Sequence, residues 1–326
     1  MNYFQKNCAK GFEKIEGGVI YVDGEEIGLL KPSTLWGKDI RGNFYISGPL
    51  GIAQTTEDDG DTFWQALLST DCFLFGTKFE IENCLELLKN PDSSRTTSFL
   101  AAKSKNCADL ISKVERLKNG RVLIVGCGGI GSLTAINLAG AGVGYLVLVD
   151  GDSIELSNLN RQFFWCPSDK GKKKALVLQR EILSRYPSMN CEAISEYLQE
   201  EKIREIATSF HAVVLTADEP LGLGSSMQSS PKTLYVGCGY IHQHISFGVN
   251  ESKLNNTEEI KWQRTPFFIG PSFGPTNTEL AGIASSYVIH FLAEEQPKSL
   301  GTPLGCIWDA TEFPRRIFST TECHER

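Results

Sequence analysis

The sequence predicts an α/β protein with a doubly wound, mainly parallel sheet preceded by a smaller unit of short strands and helices. Three observations carry that reading. An apolar run, Val122 to Val125, enters the turn Gly126-Cys127-Gly128-Gly129-Ile130-Gly131, and a helix-compatible segment follows. A second apolar run, Tyr145 to Val149, ends on Asp150. Strand, glycine turn, helix, strand and acid, in that order, make the mononucleotide-binding half of a Rossmann-like sheet.

The elements fall into place along the chain. Gly18 to Val22 and Ile27 to Leu30 flank Asp23-Gly24, a strong hairpin signal. Asn43 to Ser47 reads as a further short strand and Phe63 to Leu68 as a short helix. Phe79 to Leu88 places Ile81, Cys84, Leu85 and Leu88 at helical spacing. Together they suggest a winged-helix-like unit over residues 1–92, closed by the turn-rich linker Asn90-Pro91-Asp92-Ser93-Ser94 and followed by a second domain over 93–326. In that second domain Lys172 to Tyr186 is amphipathic, with Ala175, Leu176, Leu178, Ile182 and Leu183 as candidate buried positions. Val213 to Ala217 is an apolar strand running into Asp218, and Thr233 to Gly237 is another strand. Gly222 to Ser226 reads as irregular chain. Thr276-Asn277-Thr278-Glu279 has the form of a capping box opening an apolar helix, Leu280 to Leu292.

The glycines Gly126, Gly128, Gly129 and Gly131 let backbone approach phosphates, the helix start aims its amides at them, and Asp150 can accept ribose hydroxyls. Those features specify a nucleotide and no chemistry. The cassette after Asp150 adds Asp152 and Ser157-Asn158-Leu159-Asn160-Arg161-Gln162. Hydride transfer has no use for an arginine and several amides beside the ribose acid. Cleavage of ATP between its α and β phosphates does, because negative charge must be neutralised on both fragments.

Gly126 to Ser132 followed by Asp150 to Gln162 resembles the E1-like adenylating superfamily (ThiF/MoeB/HesA), densely over residues 120–175 and more thinly to about 310. The resemblance implies ATP and Mg²⁺ as cofactors. It places Asp150 on the ribose, Asp152 and Asn158 along the nucleotide, and Arg161 and Gln162 at the phosphates. Asp169 to Ala175 is similar to the family's D-x-G-x-x-K-A, which assigns a phosphate contact to Lys174, and Asp218 takes the family role of holding Mg²⁺. Arg161, Lys174 and Asp218 are therefore the candidate catalytic set. An arginine that in many relatives reaches the partner subunit's ATP aligns with Thr97, leaving Arg95 as the candidate substitute.

A winged helix usually suggests DNA, and charge decides against it. Met1 to Asn90 carries 8 Lys+Arg against 14 Asp+Glu, a net −6 of the chain's −7, which repels phosphates. An acidic unit of this kind suits a basic peptide that adds to a sheet edge and packs on a helix. The arrangement, with Ala217-Asp218-Glu219-Pro220, Gly237-Cys238-Gly239-Tyr240, Phe273 to Asn277 and Ile307-Trp308-Asp309, is similar to the peptide-tailoring branch of the superfamily, the enzymes of microcin C and pantocin A biosynthesis. That branch implies a leader-peptide recognition domain, a ribosomally made precursor peptide as partner, and a homodimer.

Hydrophobic content of 41% and charged content of 22% are ordinary for a globular chain of 326 residues. No apolar run approaches the ~18 residues that cross a bilayer, and the N-terminus lacks a signal-peptide core. A cytoplasmic location, with neither membrane nor nucleic-acid partner, is the expectation. The 10 cysteines are scattered, with Cys127, Cys191 and Cys238 in or beside apolar runs as small core residues. No CxxC occurs; Asn250 to Glu259 and Cys323-His324 stand where zinc-binding relatives carry such pairs, and His242 and His244 make at most half a site, so no zinc is expected. Three alternatives remain open: activation of the C-terminal glycine of a ubiquitin-like sulfur carrier, a non-catalytic E1-like partner subunit, and an NAD-dependent oxidoreductase.

Overall fold

The computed structural model describes residues 12–56, 59–217, 233–239, 242–247, 263–270, 272–294, 304–309 and 317–319, and the chain separates into two units, Met1–Glu115 and Arg116–Arg326.

In the first unit, β1 (Phe12–Glu16), β2 (Val19–Val22) and β3 (Glu25–Leu30) form consecutive hairpins, and β7 (Phe73–Phe75) closes an antiparallel sheet of order β1-β2-β3-β7. The turn expected at Asp23-Gly24 is present, with φ of 51° and 79°. Two consecutive positive φ values match the right-handed twist of the flanking strands. A second antiparallel sheet joins β4 (Leu35–Lys38), β5 (Phe44–Gly48) and β6 (Gly51–Thr55). Helix α1 (Gly60–Ser69) buries Trp64, Ala66 and Leu67 in a core shared with Ile20, Phe44, Ile46 and Phe73, so both sheets and the helix use one interior. Helix α2 (Lys78–Lys89) starts at a capping box in which Thr77 and Glu80 each satisfy the other's backbone N–H. Helix α3 (Ser94–Ala102) and helix α4 (Cys107–Lys118) lead out of the unit. The two predicted helices and three predicted strands are found, but the unit is richer in strand than a plain winged helix. The strands missing from the sequence reading are short, glycine-bearing or polar: β7 has three residues, and β4 is exposed along its whole length.

The second unit is the predicted α/β layer. Strands β8 (Arg121–Val125), β9 (Tyr145–Val149), β10 (Asn190–Ile194), β11 (Ala212–Leu215) and β12 (Thr233–Gly239) run parallel in the order β10-β9-β8-β11-β12. Three antiparallel strands extend this sheet: β13 (His242–Phe247), β14 (Leu304–Asp309) and β15 (Ile317–Ser319). Buried on both faces, β8, β9 and β11 are nearly unbroken runs of Val, Leu and Ile. On one face Leu123, Val125, Val147, Val149, Val213 and Leu215 pack with Ile203 and Ala207 of helix α7 (Glu200–Ala207). Helix α5 (Gly129–Ala141) is buried almost all round and lies against helix α8 (Gly274–Ala293). Helix α6 (Lys174–Arg185) buries Ala175, Val177, Leu178 and Ile182, while Leu176 is 47% exposed. Val177 therefore takes the inward position that the sequence reading gave to Leu176. Helix α8 begins at Gly274, six residues before the predicted start, because Pro275 in its first turn presets helical φ; Thr276 to Glu279 belong to its first turns.

The chain enters this sheet at β8, proceeds to β9 and β10 on one side, and then returns to β11 on the other. Open α/β sheets bind ligands outside the carboxyl ends of their strands at such a reversal. That position lies between β8 and β11, directly at the glycine turn. Among the described residues no helix is long and apolar enough to cross a membrane.

Candidate nucleotide site

The glycine turn joins β8 to α5 at the reversal point. Gly126 has φ of 96°, which a side chain would strain, and its N–H donates to Val149 O at 2.8 Å. The turn is tied to the far side of the reversal by Thr216, whose Oγ1 donates to Gly126 O at 2.9 Å. At Gly131 a Cβ would run into Gly126 O and lie 2.6 Å from Thr216 Oγ1, so close packing of helix on turn demands glycine there. Gly128 differs. A Cβ there would meet only Gln162 Nε2, at an ordinary 3.6 Å. Gly129 is covered by Asn277 and by the Arg161 carbonyl oxygen, which would stand 3.1 Å from its Cβ.

Asp150 grips the turn from the end of β9. Its Oδ2 accepts the Cys127 N–H at 2.6 Å and its Oδ1 accepts the Asp152 N–H at 2.8 Å. Burial pushes its carboxyl up, against the pull of those two N–H groups. Each oxygen keeps lone-pair capacity for another donor. The Cys127 side chain is fully buried and its thiol is raised well above the usual range by desolvation, which makes it a core residue. Cys191 is likewise buried, its thiol pushed up to about 12 by burial. The Cys238 side chain lies outside the described residues.

Lys174 opens α6 with its side chain 9% exposed, and its Nζ donates to Asp152 Oδ2 at 2.7 Å. The other oxygen of Asp152 accepts the Tyr197 hydroxyl. Partial burial raises the Asp152 carboxyl, but Lys174 and Tyr197 together outweigh it and hold the group below the usual carboxylate range. Lys173 donates to Gly151 O at 2.6 Å. The approach to Lys174 is pinned by Asp169, whose buried carboxylate accepts from Lys172 at 2.8 Å, the Cys166 N–H at 3.2 Å and Arg180 at 3.4 Å. The Lys172 hydrogen bond leads these in holding the Asp169 carboxyl far below its ordinary value. Because that pKa is depressed in the folded state, the stabilisation is present at neutral pH and disappears as pH falls through the carboxylate range. Asp169→Asn is expected to lower the melting temperature at pH 7, with the gap to wild type closing below about pH 4. Thermal melts across pH 3–7 check this.

Asn158 is buried at 7% exposure, and its Oδ1 accepts the Glu155 N–H at 3.1 Å, closing a 3-10 turn (Leu156–Asn158). Asn158 O in turn accepts the N–H of Arg161 and of Gln162. The Arg161 guanidinium donates to Ser157 O at 2.7 Å and Asn160 Oδ1 at 3.0 Å. Gln162 is 5% exposed, with its amide against Gly128, and Asn277 is 1% exposed, with its amide against Gly129. Both Gln162 Oε1 and Asn277 Oδ1 are buried without a hydrogen-bond partner.

The structure thus brings Gly126, Gly128, Gly129, Gly131, Asp150, Asp152, Asn158, Arg161, Gln162 and Lys174 to one end of the parallel sheet. Arg95 is an exposed residue of α3 in the first unit, and Thr97 beside it is buried. Asp218, Gly222 to Ser226, Asn250 to Glu259, Cys323-His324 and the side chains of His242 and His244 lie outside the described residues. Among the described residues no cluster of His, Cys, Asp or Glu could hold a metal ion. Lys173, Tyr197, Thr216 and the buried role of Asn277 were missed in sequence. Only Thr216 carried a signal, as the residue that ends an apolar strand.

Comparison with known proteins agrees with this geometry. Residues 104–222 match the ThiF family. Over 104 residues the chain is 36% identical to the sulfur carrier protein ThiS adenylyltransferase of Escherichia coli, which covers 32% of this chain and 41% of that protein. The chain spans 22% to 43% of the length of the curated relatives it matches. In fold it is similar to E. coli MccB, solved with MccA-N7isoASN, with a TM-score of 0.64 and 18% identity over 90% of this chain and 96% of that one. MccB has also been solved with ATP. PaaA is similar at a TM-score of 0.57 and 21% identity, over 89% of this chain and 99% of that one. At these identities the structural likeness is one of fold.

Proposed function

We propose that this chain, a mixed α/β protein with a ThiF-family domain in the E1-like superfamily, is an ATP-dependent adenylyltransferase that activates a carboxylate on a ribosomally made precursor peptide. The observation that carries the reading is the convergence of the glycine turn with Asp150 and Lys174 at the sheet's reversal point. Gly128 needs glycine neither for its backbone (φ −74°) nor for its packing, which suits a phosphate lying against it. The amide nitrogens of Gln162 and Asn277 stand beside Gly128 and Gly129 and add N–H donors to that side of the turn.

In this reading a substrate carboxylate attacks the α-phosphorus, the bond to the bridging oxygen of the β-phosphate breaks, and pyrophosphate leaves. The acyl-adenylate is a mixed anhydride open to a nearby nucleophile. The chain's part is to hold the reactants in line and to neutralise charge. Asp150 orients the ribose, and Lys174 and Arg161 neutralise phosphate. The contacts of Arg161 to Ser157 and Asn160 use Nη1 alone, which leaves its Nε and Nη2 donors to turn to phosphate. Asp218 is the residue that would hold a magnesium ion, as the family resemblance implies, and the ion would supply neutralisation of charge on the triphosphate. The described carboxylates do not offer a ready metal site, since Asp152 is paired with Lys174 and Asp150 with two N–H groups.

The acidic unit over residues 1–92 is assigned to recognition of a peptide carrying Lys or Arg, which would add to a free sheet edge. Among the described residues strand β4 lies at the edge of its sheet and is exposed along its length, with Leu35 69% and Trp36 52% exposed. A homodimer in the cytoplasm, with neither zinc nor nucleic acid, completes the proposal, and Arg95 is the candidate to reach the partner's ATP. A second reading, activation of a ubiquitin-like sulfur carrier, is favoured by the 36% identity to the ThiS adenylyltransferase.

The two are separated by incubating the protein with ATP and Mg²⁺ plus either a candidate precursor peptide or a sulfur carrier, and weighing both. Loss of water or gain of AMP by the peptide is expected; modification of the carrier alone would move the assignment to the second reading. Asp218→Ala is expected to abolish AMP production with an unchanged circular dichroism spectrum, and wild-type turnover would remove Asp218 from the site.

A further inference from the structure

The site contains an aromatic residue that none of the motif assignments uses. Strands β8, β9 and β10 end side by side, and each end supplies a different part of the pocket. The end of β8 gives the glycine turn and the end of β9 gives Asp150. A nucleotide with phosphates at the first and ribose at the second directs its base toward the segment after β10. Tyr197 lies on that segment.

Its ring is seated on the Gly151 backbone. A Cβ at Gly151 would stand 2.5 Å from Tyr197 Cγ and 2.6 Å from Cδ2, so the ring lies where only glycine leaves room. The hydroxyl donates to Asp152 Oδ1, fixing the far end of the ring. Tyr197 is nevertheless 67% exposed. A tyrosine held at both ends while most of its surface faces solvent contributes little burial to folding. It is instead a rigid aromatic surface next to the ribose acid.

We propose that Tyr197 is the nucleobase platform of this site, stacking the purine of the bound nucleotide, with Gly151 and Asp152 holding the ring in place. The proposal rests on the nucleotide reading above. Stacking on an aromatic side chain is worth a roughly 5- to 150-fold change in affinity by alanine substitution. Stacking also requires the ring and no hydroxyl, which sets the hydroxyl-free variant apart from the ring-free one.

The test measures binding of ATP and of inorganic tripolyphosphate to the full chain by calorimetry, for wild type, Tyr197→Ala and Tyr197→Phe. Tyr197→Ala is expected to weaken ATP about 5- to 150-fold and to leave tripolyphosphate within twofold of wild type. Tyr197→Phe is expected to stay within about threefold of wild type for ATP, since it keeps the stacking ring. Unchanged ATP affinity in Tyr197→Ala would overturn the platform. Equal loss for ATP and tripolyphosphate would overturn it too, since the residue would then act only through Asp152 and Lys174. Failure of wild type to bind ATP, with tripolyphosphate still bound, would overturn the nucleotide reading itself.

Discussion

Lys174→Ala is expected to reduce ATP-dependent AMP formation by about two to three orders of magnitude, the loss typical of removing one preorganised charge from a transition state that gathers negative charge. Lys174 is the described cation best placed for this role. It is buried to 9% exposure at the start of α6 and is ion-paired to Asp152, which is half-exposed and also held by Tyr197. Phosphates arriving at the glycine turn can share the ammonium without leaving Asp152 bare. Stability responds less. The pair is screened on the Asp152 side, so the variant should lose under about 1 kcal/mol at pH 7. The Asp152 carboxyl lies below its ordinary range. Its contribution is therefore present above the unfolded value and fades as pH falls, and the melting curves of variant and wild type should converge in acid. Chromatography of the nucleotide products and melts at two pH values check both halves. A variant with wild-type AMP formation would place Lys174 among structural residues.

The second large effect separates two glycines three residues apart. In Gly131→Ala the new Cβ meets the Gly126 carbonyl oxygen and Thr216 Oγ1, and a carbonyl fixed in a turn cannot move aside as a flexible side chain could. Overpacking of this kind costs about 2–3 kcal/mol, which for a unit of this size lowers the melting temperature by about 4–12 °C. Gly128→Ala adds a Cβ that meets nothing closer than Gln162 Nε2 at 3.6 Å, in a backbone conformation open to alanine. Its melting temperature should hold while its affinity for ATP falls, because the methyl group would occupy the space in which the proposed nucleotide places a phosphate. One glycine serves the fold and the other the ligand. Equal melting losses in the two variants, or unchanged ATP binding in Gly128→Ala, would contradict that division.

The nucleotide half of the sheet was legible in the sequence because local and long-range constraints coincide there. Val122 to Val125 must be buried on both faces, Gly126 must take positive φ, and Asp150 must follow the next strand, so that a single stretch of chain declares the whole unit. The first unit was legible only in part. Its Asp23-Gly24 hairpin follows from turn chemistry, whereas β4 and β6 carry exposed, glycine-containing sequences whose pairing is decided by a core that Ile46 and Trp64 form across the chain. Tyr197 was invisible for a similar reason. It is 45 residues from Asp152 along the chain and stands in a polar segment without periodicity, and the adjacency of β9 and β10 brings the two together. Asn277 was read as part of a helix start, and only the packing of α8 on α5 shows its amide against Gly129.

The measurement that tests the central claim most directly is the identity of the nucleotide product. Wild type and Lys174→Ala are incubated with ATP and Mg²⁺, with and without candidate peptide or sulfur carrier, and AMP, ADP and pyrophosphate are quantified. An adenylating enzyme gives pyrophosphate matched by AMP, either released or carried on the modified substrate, dependent on the carboxylate substrate and lost in Lys174→Ala. ADP as the product, or no turnover with any carboxylate partner by a protein that binds ATP, would contradict it.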